Sequence, residues 1–103
     1  MDFNINEVTG IGEYTIEDLM VKERKEGKIF LAPNGKAFCV LHEGKTIEVR
    51  TDANLSKVLR EKYESVMQSR YFGRGGIEIV LSGQIEQDQL YDLVRLSYNM
   101  TNE

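Results

Sequence analysis

The sequence predicts an α+β fold: a two-layer sandwich in which an antiparallel β-meander plus a further strand carries helices packed on one face. Three observations carry that reading. Residues 28–50 hold three short apolar runs joined by tight, Gly-containing connections, the pattern of a meander. Residues 55–67 place apolar side chains at helical spacing. A fourth strand-like run at 77–81 precedes a second helical pattern that reaches the C-terminus. Helices segregated to one face of an antiparallel sheet make the α+β class.

Residues 1–13 show no sustained period and read as a loosely held N-terminal arm. Phe3, Ile5 and Val8 could pair with an edge strand, but Gly10 and Gly12 break any longer element. Residues 14–103 then form a single domain. Its first element reads as a helix of about three turns. Thr15 with Asp18 approximates a capping box, and Tyr14 with Leu19 a hydrophobic staple. Ile16, Leu19 and Met20 give it a short apolar face, and Gly27 stops it.

The meander follows. Lys28-Ile29-Phe30-Leu31-Ala32 ends at Pro33-Asn34-Gly35-Lys36, where Pro33 presets φ and Asn34-Gly35 tolerate positive φ. Ala37-Phe38-Cys39-Val40-Leu41-His42 is the second run, and Glu43-Gly44-Lys45 turns it into Thr46-Ile47-Glu48-Val49-Arg50. Alternation there points Ile47 and Val49 inward and Thr46, Glu48 and Arg50 to solvent. Asp52 caps a long helix over residues 53–69, with Leu55, Val58, Leu59, Tyr63, Val66 and Met67 as its stripe. Tyr71-Phe72-Gly73-Arg74-Gly75-Gly76 breaks it, and residues 77–81 form the next strand. The last helix spans residues 86–99 with Leu90, Leu93 and Val94 inward.

Composition narrows the chemistry. The 103 residues carry a formal net charge of −4, which argues against a generally basic nucleic-acid binder. One cysteine, Cys39, makes neither an internal disulfide nor a structural zinc site, and one histidine, His42, argues against a His-based metal or catalytic centre. No apolar run approaches membrane-span length, and the polar, acidic start is unlike a signal peptide. The charge is uneven: residues 1–19 total −5, residues 20–50 and 56–74 each +3, and residues 75–103 −4. The middle of the chain can therefore attract phosphate although the whole repels it.

Cys39 reads as buried packing and His42 as a strand-end surface residue beside Glu43. Gly73-Arg74-Gly75-Gly76 lacks the Lys-Ser/Thr pair and the following helix of a phosphate loop. Arg70, Arg74 and exposed backbone N–H groups could still hold a phosphate, with Tyr71 or Phe72 stacking on a base. Glu13, Glu17 and Asp18 read as complements of a helix dipole rather than as cation ligands. No cofactor, metal or catalytic constellation is expected.

Gly35-Lys36-Ala37-Phe38, Ile47-Glu48-Val49-Arg50-Thr51-Asp52, Leu59-Arg60-Glu61-Lys62-Tyr63-Glu64-Ser65-Val66, Ile79-Val80-Leu81-Ser82-Gly83 and Leu96-Ser97-Tyr98-Asn99-Met100-Thr101 occur in the order found in the MmcQ/YjbR family. Over residues 28–101 the chain resembles that family of small cytosolic bacterial proteins, whose compact fold is related to CyaY. Its Gly-Lys-x-Phe hairpin is also similar to the N-terminal domain of TfoX-like competence regulators. The MmcQ/YjbR resemblance implies a non-enzymatic, cytoplasmic protein, and many relatives are labelled DNA-binding. It places DNA contacts at Arg70, Tyr71, Phe72 and Arg74, supported by Lys36, Lys45 and Arg50. Relatives usually carry a His, an Asn and a Trp in the loop after the long helix, and this chain has none of them there. The DNA reading requires Arg50, Arg70 and Arg74 to share an exposed face and weakens if they pair with Glu48 and Glu78. The alternatives are a protein-interaction or homodimerising adaptor and, third, a CyaY-like metal-binding protein; no membrane partner is expected.

Overall fold

The computed structural model describes residues 5, 8 and 10–103. Six strands and two helices occur in the order β1 (Thr15–Val21), β2 (Arg24–Leu31), β3 (Ala37–His42), β4 (Thr46–Arg50), α1 (Ala53–Lys62), β5 (Val66–Ser69), β6 (Gly73–Val80) and α2 (Gln87–Thr101). The strands form one sheet in the order β1-β2-β3-β4-β6-β5, with every neighbouring pair antiparallel. This is the α+β sandwich that the periodicities predict, with a longer sheet.

Two cross-strand rows define the layers. Ile16, Phe30, Cys39, Val49 and Ile77 lie in register on one face, and so do Leu41, Ile47, Ile79 and Val66. Leu90, Val94 and Tyr98 of α2 join this core, and Tyr98 meets the Phe38 ring edge-on at 5.0 Å. Ser97, also on α2, donates to the Phe38 carbonyl and accepts from the Arg50 amide, which ties α2 to β3 and β4. Ile5 and Val8, two residues of the predicted arm, are buried, and Ile5 belongs to the core. Phe3 lies outside the described residues.

The predicted first helix is instead the β1–β2 hairpin. Its two-residue turn is Lys22-Glu23, with φ of 51° and 65°. Such turns normally announce themselves by Asn-Gly or Asp-Gly. Here two long charged residues occupy the left-handed region, so the turn carries no sequence signal. Of the supposed dipole acids, Glu17 and Asp18 then lie on a strand and Glu13 precedes it, and Asp18 pairs with Lys25 at 3.2 Å.

The long helix is also shorter than predicted. Asp52 caps it as expected, accepting from the Leu55 amide at 2.7 Å. It ends at Lys62, with Tyr63 already extended. Ser65 and Gln84 then fasten the chain: Gln84 Oε1 accepts from the Glu64 amide, and the Val80 amide donates to the Ser65 carbonyl. Val66 and Met67 thereby become strand residues against β6, because ladder hydrogen bonds to β6 outweigh helix propensity. Val58 of the predicted stripe is 57% exposed, and the side chain that α1 buries completely is Ser56, bonded to the Gly76 carbonyl.

The left-handed Lys22-Glu23 turn gives a direct stability test. A non-Gly residue there costs roughly 1–2 kcal/mol. Replacing the pair with Asn-Gly is expected to stabilise the protein by on the order of 1 kcal/mol, read as an increased denaturant midpoint with an unchanged m-value.

Candidate functional site

The second face of the sheet, opposite the helices, carries a row that includes Glu48, which alternation points to solvent. Glu17, Ile29, Val40, Glu48, Glu78 and Met67 lie in register across the six strands. Glu48 is 1% exposed and Glu78 is 4% exposed. The expectation of a solvent-facing Glu48 is overturned because the β5–β6 turn, residues 70–72, folds over this face.

Glu48 is the hub. Its Oε1 accepts from the Ser69 hydroxyl at 2.8 Å and from the Tyr71 amide at 2.9 Å. Its Oε2 lies 2.7 Å from His42 Nε2. His42 is buried, not a surface residue, and its Nδ1 lies 2.9 Å from the Glu26 carbonyl. That carbonyl only accepts, so Nδ1 is the donor in this contact. Gly27 makes this geometry possible. A Cβ there would stand 2.5 Å from the Leu41 carbonyl oxygen and 3.2 Å from His42 Nδ1.

Glu78, beside Glu48 on the next strand, forms the second half. Arg70 grips it with two parallel bonds, Nε to Oε1 and Nη2 to Oε2, both at 2.9 Å. The Thr46 hydroxyl adds a third at 2.7 Å. The two acids are thus matched by an imidazole and a guanidinium. Burial by itself raises the Glu48 carboxyl. Hydrogen bonds from His42, the Tyr71 amide and Ser69, with the His42 charge, outweigh burial and hold it below the ordinary carboxylate range. The hydrogen bonds and charge of Glu78 raise Arg70 further above its ordinary value, so it stays cationic.

Most of the predicted DNA contacts meet at one end of the sheet. Arg50, at the end of β4, donates from Nε to the Ala37 carbonyl at 2.8 Å, and its guanidinium lies over the Phe72 ring at 4.8 Å. Phe72 meets Tyr71 edge-on at 5.0 Å. Gly76 admits this packing, since a Cβ there would stand 2.6 Å from Phe72 Cβ. Lys36 sits in the turn before Ala37, and Arg74 is the second residue of β6. Lys45 stands apart, in the β3–β4 turn at the opposite strand end. Arg74 and Lys36 are exposed and belong to none of the ion pairs among the described residues. Arg70 and Arg50 are spent on Glu78, Ala37 and Phe72. The Tyr71-Phe72-Gly73 segment is a hairpin turn and strand start, not a helix stop.

An open groove of about 310 Å³ lies over the network, lined by Leu19, Val21, Glu26, His42, Glu48, Arg70 and Tyr71. Ligand atoms of His42, Glu48 and Glu78 fall within 4.8 Å of one another, the spacing of a metal site. Every carboxylate oxygen already accepts from a protein donor, so a cation would compete with His42 and Arg70 for them. As expected, Cys39 is buried. Burial first, and the Glu48 charge second, push its thiol well above the ordinary value, which keeps it protonated and inert. Sequence reasoning missed the His42–Glu48–Glu78 cluster. Its one signal was an acid centred in each of two apolar triplets, Ile47-Glu48-Val49 and Ile77-Glu78-Ile79.

No helix among the described residues is long and apolar enough to cross a membrane. No family model and no curated protein matches the chain by sequence.

Removing the hub leaves His42, Ser69 and the Tyr71 amide without their acceptor. Glu48→Ala is expected to cost about 3 kcal/mol or more, measured by denaturant unfolding. The pH dependence has a fixed sign. A carboxyl depressed in the folded state contributes fully above its unfolded pKa of roughly 4.3 and loses that contribution as pH falls through the folded value. The acid limb of the stability profile should therefore be shallower in Glu48→Ala than in the parent. Gly27→Ala, which presses a methyl into the Leu41 carbonyl, should cost about 1–3 kcal/mol and shift the His42 ring resonances in NMR.

The fold itself recurs. A protein from Pseudomonas syringae matches with a TM-score of 0.74 at 16% identity, covering 94% of each chain. A Deinococcus radiodurans protein with a DUF419 domain matches with a TM-score of 0.74 at 13% identity, covering 91% of this chain and 72% of its own. At such identities the likeness is one of fold: this chain has the architecture of those two proteins.

Proposed function

We propose that the chain is an MmcQ/YjbR-like protein of the bacterial cytoplasm that works as a non-enzymatic interaction module, with a protein as its partner. Its motif order and the DUF419-type fold of a structural neighbour support the family reading. One observation carries the functional reading. The edge strand β1 is seven residues long, and six of them are exposed. Ile16, Met20 and Val21 are 50%, 52% and 46% exposed.

Edge strands are ordinarily defended by shortness, proline, charged side chains (lysine above all) or a bulge, and β1 has two such charges, Glu17 and Asp18, at its centre. The other edge, β5, has four residues and buries both its ends. β1 contains no Pro, Gly or Lys. The irregularity in its pairing puts the extra residue, Glu26, on β2, so β1 itself stays straight. Such an edge is suited to accepting another strand, with main-chain hydrogen bonds giving affinity. The non-enzymatic reading draws support from the closure of the His42–Glu48 pair. Its nearest hydroxyl, Ser69, donates to Glu48 and not to the imidazole.

A second reading, nucleic-acid binding, is favoured by Tyr71, which is 45% exposed beside exposed Arg74. Arg50 bonds the Ala37 carbonyl and the exposed Arg70 is neutralised by Glu78, so among the described residues Arg74 and Lys36 are the exposed bases there outside an ion pair, and binding would be weak with a shallow salt dependence.

The two readings separate on variants. Met20→Lys should abolish protein association in pull-down and sedimentation while leaving the fold intact. Arg74→Ala should leave association unchanged. Binding of single-stranded DNA at low salt that is lost in Arg74→Ala but not in Met20→Lys would reverse the preference.

A further inference from the structure

We infer that His42, Glu48 and Glu78 form a binding site for one divalent first-row transition-metal ion, with the Arg70 guanidinium as the removable group that closes it. This goes beyond the interaction-module reading and does not depend on the β1 edge.

The first argument is the donor set. One imidazole and two carboxylates each offer a ligand atom, and these atoms lie within 4.8 Å of one another. All three residues are buried. Mixed nitrogen and oxygen donors suit zinc, cobalt, manganese or iron(II), whereas magnesium and calcium take oxygen ligands. Ligand atoms around one such ion stand roughly 3–4 Å apart, so the three side chains close on it by drawing together. Two buried carboxylates also call for two positive charges, and a divalent ion supplies both at once.

The second argument is the support behind each ligand. A ligating imidazole ordinarily donates its other N–H to a carbonyl or carboxylate, and ligating carboxylates are themselves hydrogen-bonded. His42 Nδ1 donates to the Glu26 carbonyl at 2.9 Å, which turns Nε2 toward Glu48. Gly27 leaves room for that ring, since a Cβ there would stand 3.2 Å from Nδ1. Glu48 holds Ser69 and the Tyr71 amide through Oε1, and its Oε2 faces His42. Glu78 is held by the Thr46 hydroxyl at Oε2. Each of these anchors comes from outside the three-residue cluster. Each survives when an ion takes Nε2 and one oxygen of each carboxylate.

The third argument is access. The groove of about 310 Å³ is lined by His42, Glu48 and Arg70. The Arg70 side chain is 71% exposed, whereas that of its partner Glu78 is 5% exposed. The guanidinium is therefore the part of the network that can swing into solvent and leave the buried acids to the ion. Its competition keeps the affinity of the parent chain modest.

Zn²⁺ and Co²⁺ are the probes for the untagged chain, with Mg²⁺ as the control. Calorimetry should give one Zn²⁺ per chain, Co²⁺ should develop visible absorption bands, and Zn²⁺ but not Mg²⁺ should raise the melting temperature. Glu78→Gln should weaken Zn²⁺ binding by at least about tenfold. Arg70→Ala removes the competitor. It should be less stable than the parent without metal, recover that stability with Zn²⁺, and bind Zn²⁺ at least about tenfold more tightly. NMR of the parent needs no variant to fold: Zn²⁺ should shift His42 Nε2 and free the Arg70 Nε–H from Glu78.

A chain that binds neither Zn²⁺ nor Co²⁺ at about 1 mM overturns the inference. So does binding that is unchanged in both Glu78→Gln and Arg70→Ala, or resonance shifts confined to exposed acids such as Asp18 and Glu43. Those failures leave the interaction-module reading standing, because Met20→Lys tests it at the other surface.

Discussion

Glu48 is the group on which the rest of the second sheet face depends. It sits on β4 in the middle of the sheet, with Val40 on β3 and Glu78 on β6 as its in-register neighbours. Through three hydrogen-bond partners it gathers distant pieces of chain. His42 reaches back to the β2 bulge at Glu26, while Ser69 and the Tyr71 amide anchor the β5–β6 turn. Arg70 then closes over Glu78, the one other acid in the row that lies buried. A buried charge is expensive, and pairing only returns that cost when the remaining lone pairs are also filled. Each carboxylate accepts three hydrogen bonds, which fill most of its lone-pair positions.

The network also specifies the sheet. A slip of one residue in the β3–β4–β6 register would move His42, Glu48 and Glu78 onto the helix face, among Ile47, Val49, Ile77 and Ile79. Apolar burial against α1 and α2 stabilises the layer as a whole, while the ionic cluster penalises alternative pairings. The same closure explains why the site offers a ligand so little. Its groove is floored by groups already bonded to one another, and Arg70, one of the three arginines singled out for DNA, helps to build it. Among the described residues, an exposed edge lies elsewhere, along β1.

Legibility in the sequence followed locality. The three runs of β2, β3 and β4 were readable because Asn34-Gly35 and Gly44 mark their turns, and α2 because its stripe is regular. Asp52 was readable as a cap because capping is a contact over three residues. The β1–β2 hairpin was not readable, since Lys22-Glu23 adopts a left-handed turn without the residues that usually mark one. The stretch after Lys62 was misread for a related reason. Val66 and Met67 continue the helical period, and only the presence of β6 alongside makes them a strand. At the site, the residue types at 70–74 were correctly picked out as a cluster of basic and aromatic side chains. Their partners were not, because Glu48 and Glu78 are separated from Arg70 by 22 and 8 positions and meet it through strand pairing.

By itself the sequence determined the class of fold, the meander, the capped start of α1, the C-terminal helix and the burial of Cys39. Each follows from periodicity or from contacts within one turn of chain. The tertiary structure alone decided that β1 is an edge strand, that β5 exists, and that His42, Glu48, Glu78 and Arg70 form one buried network. Those outcomes depend on which strands become neighbours. That choice is made by burial over the whole chain, which no local pattern of residues encodes.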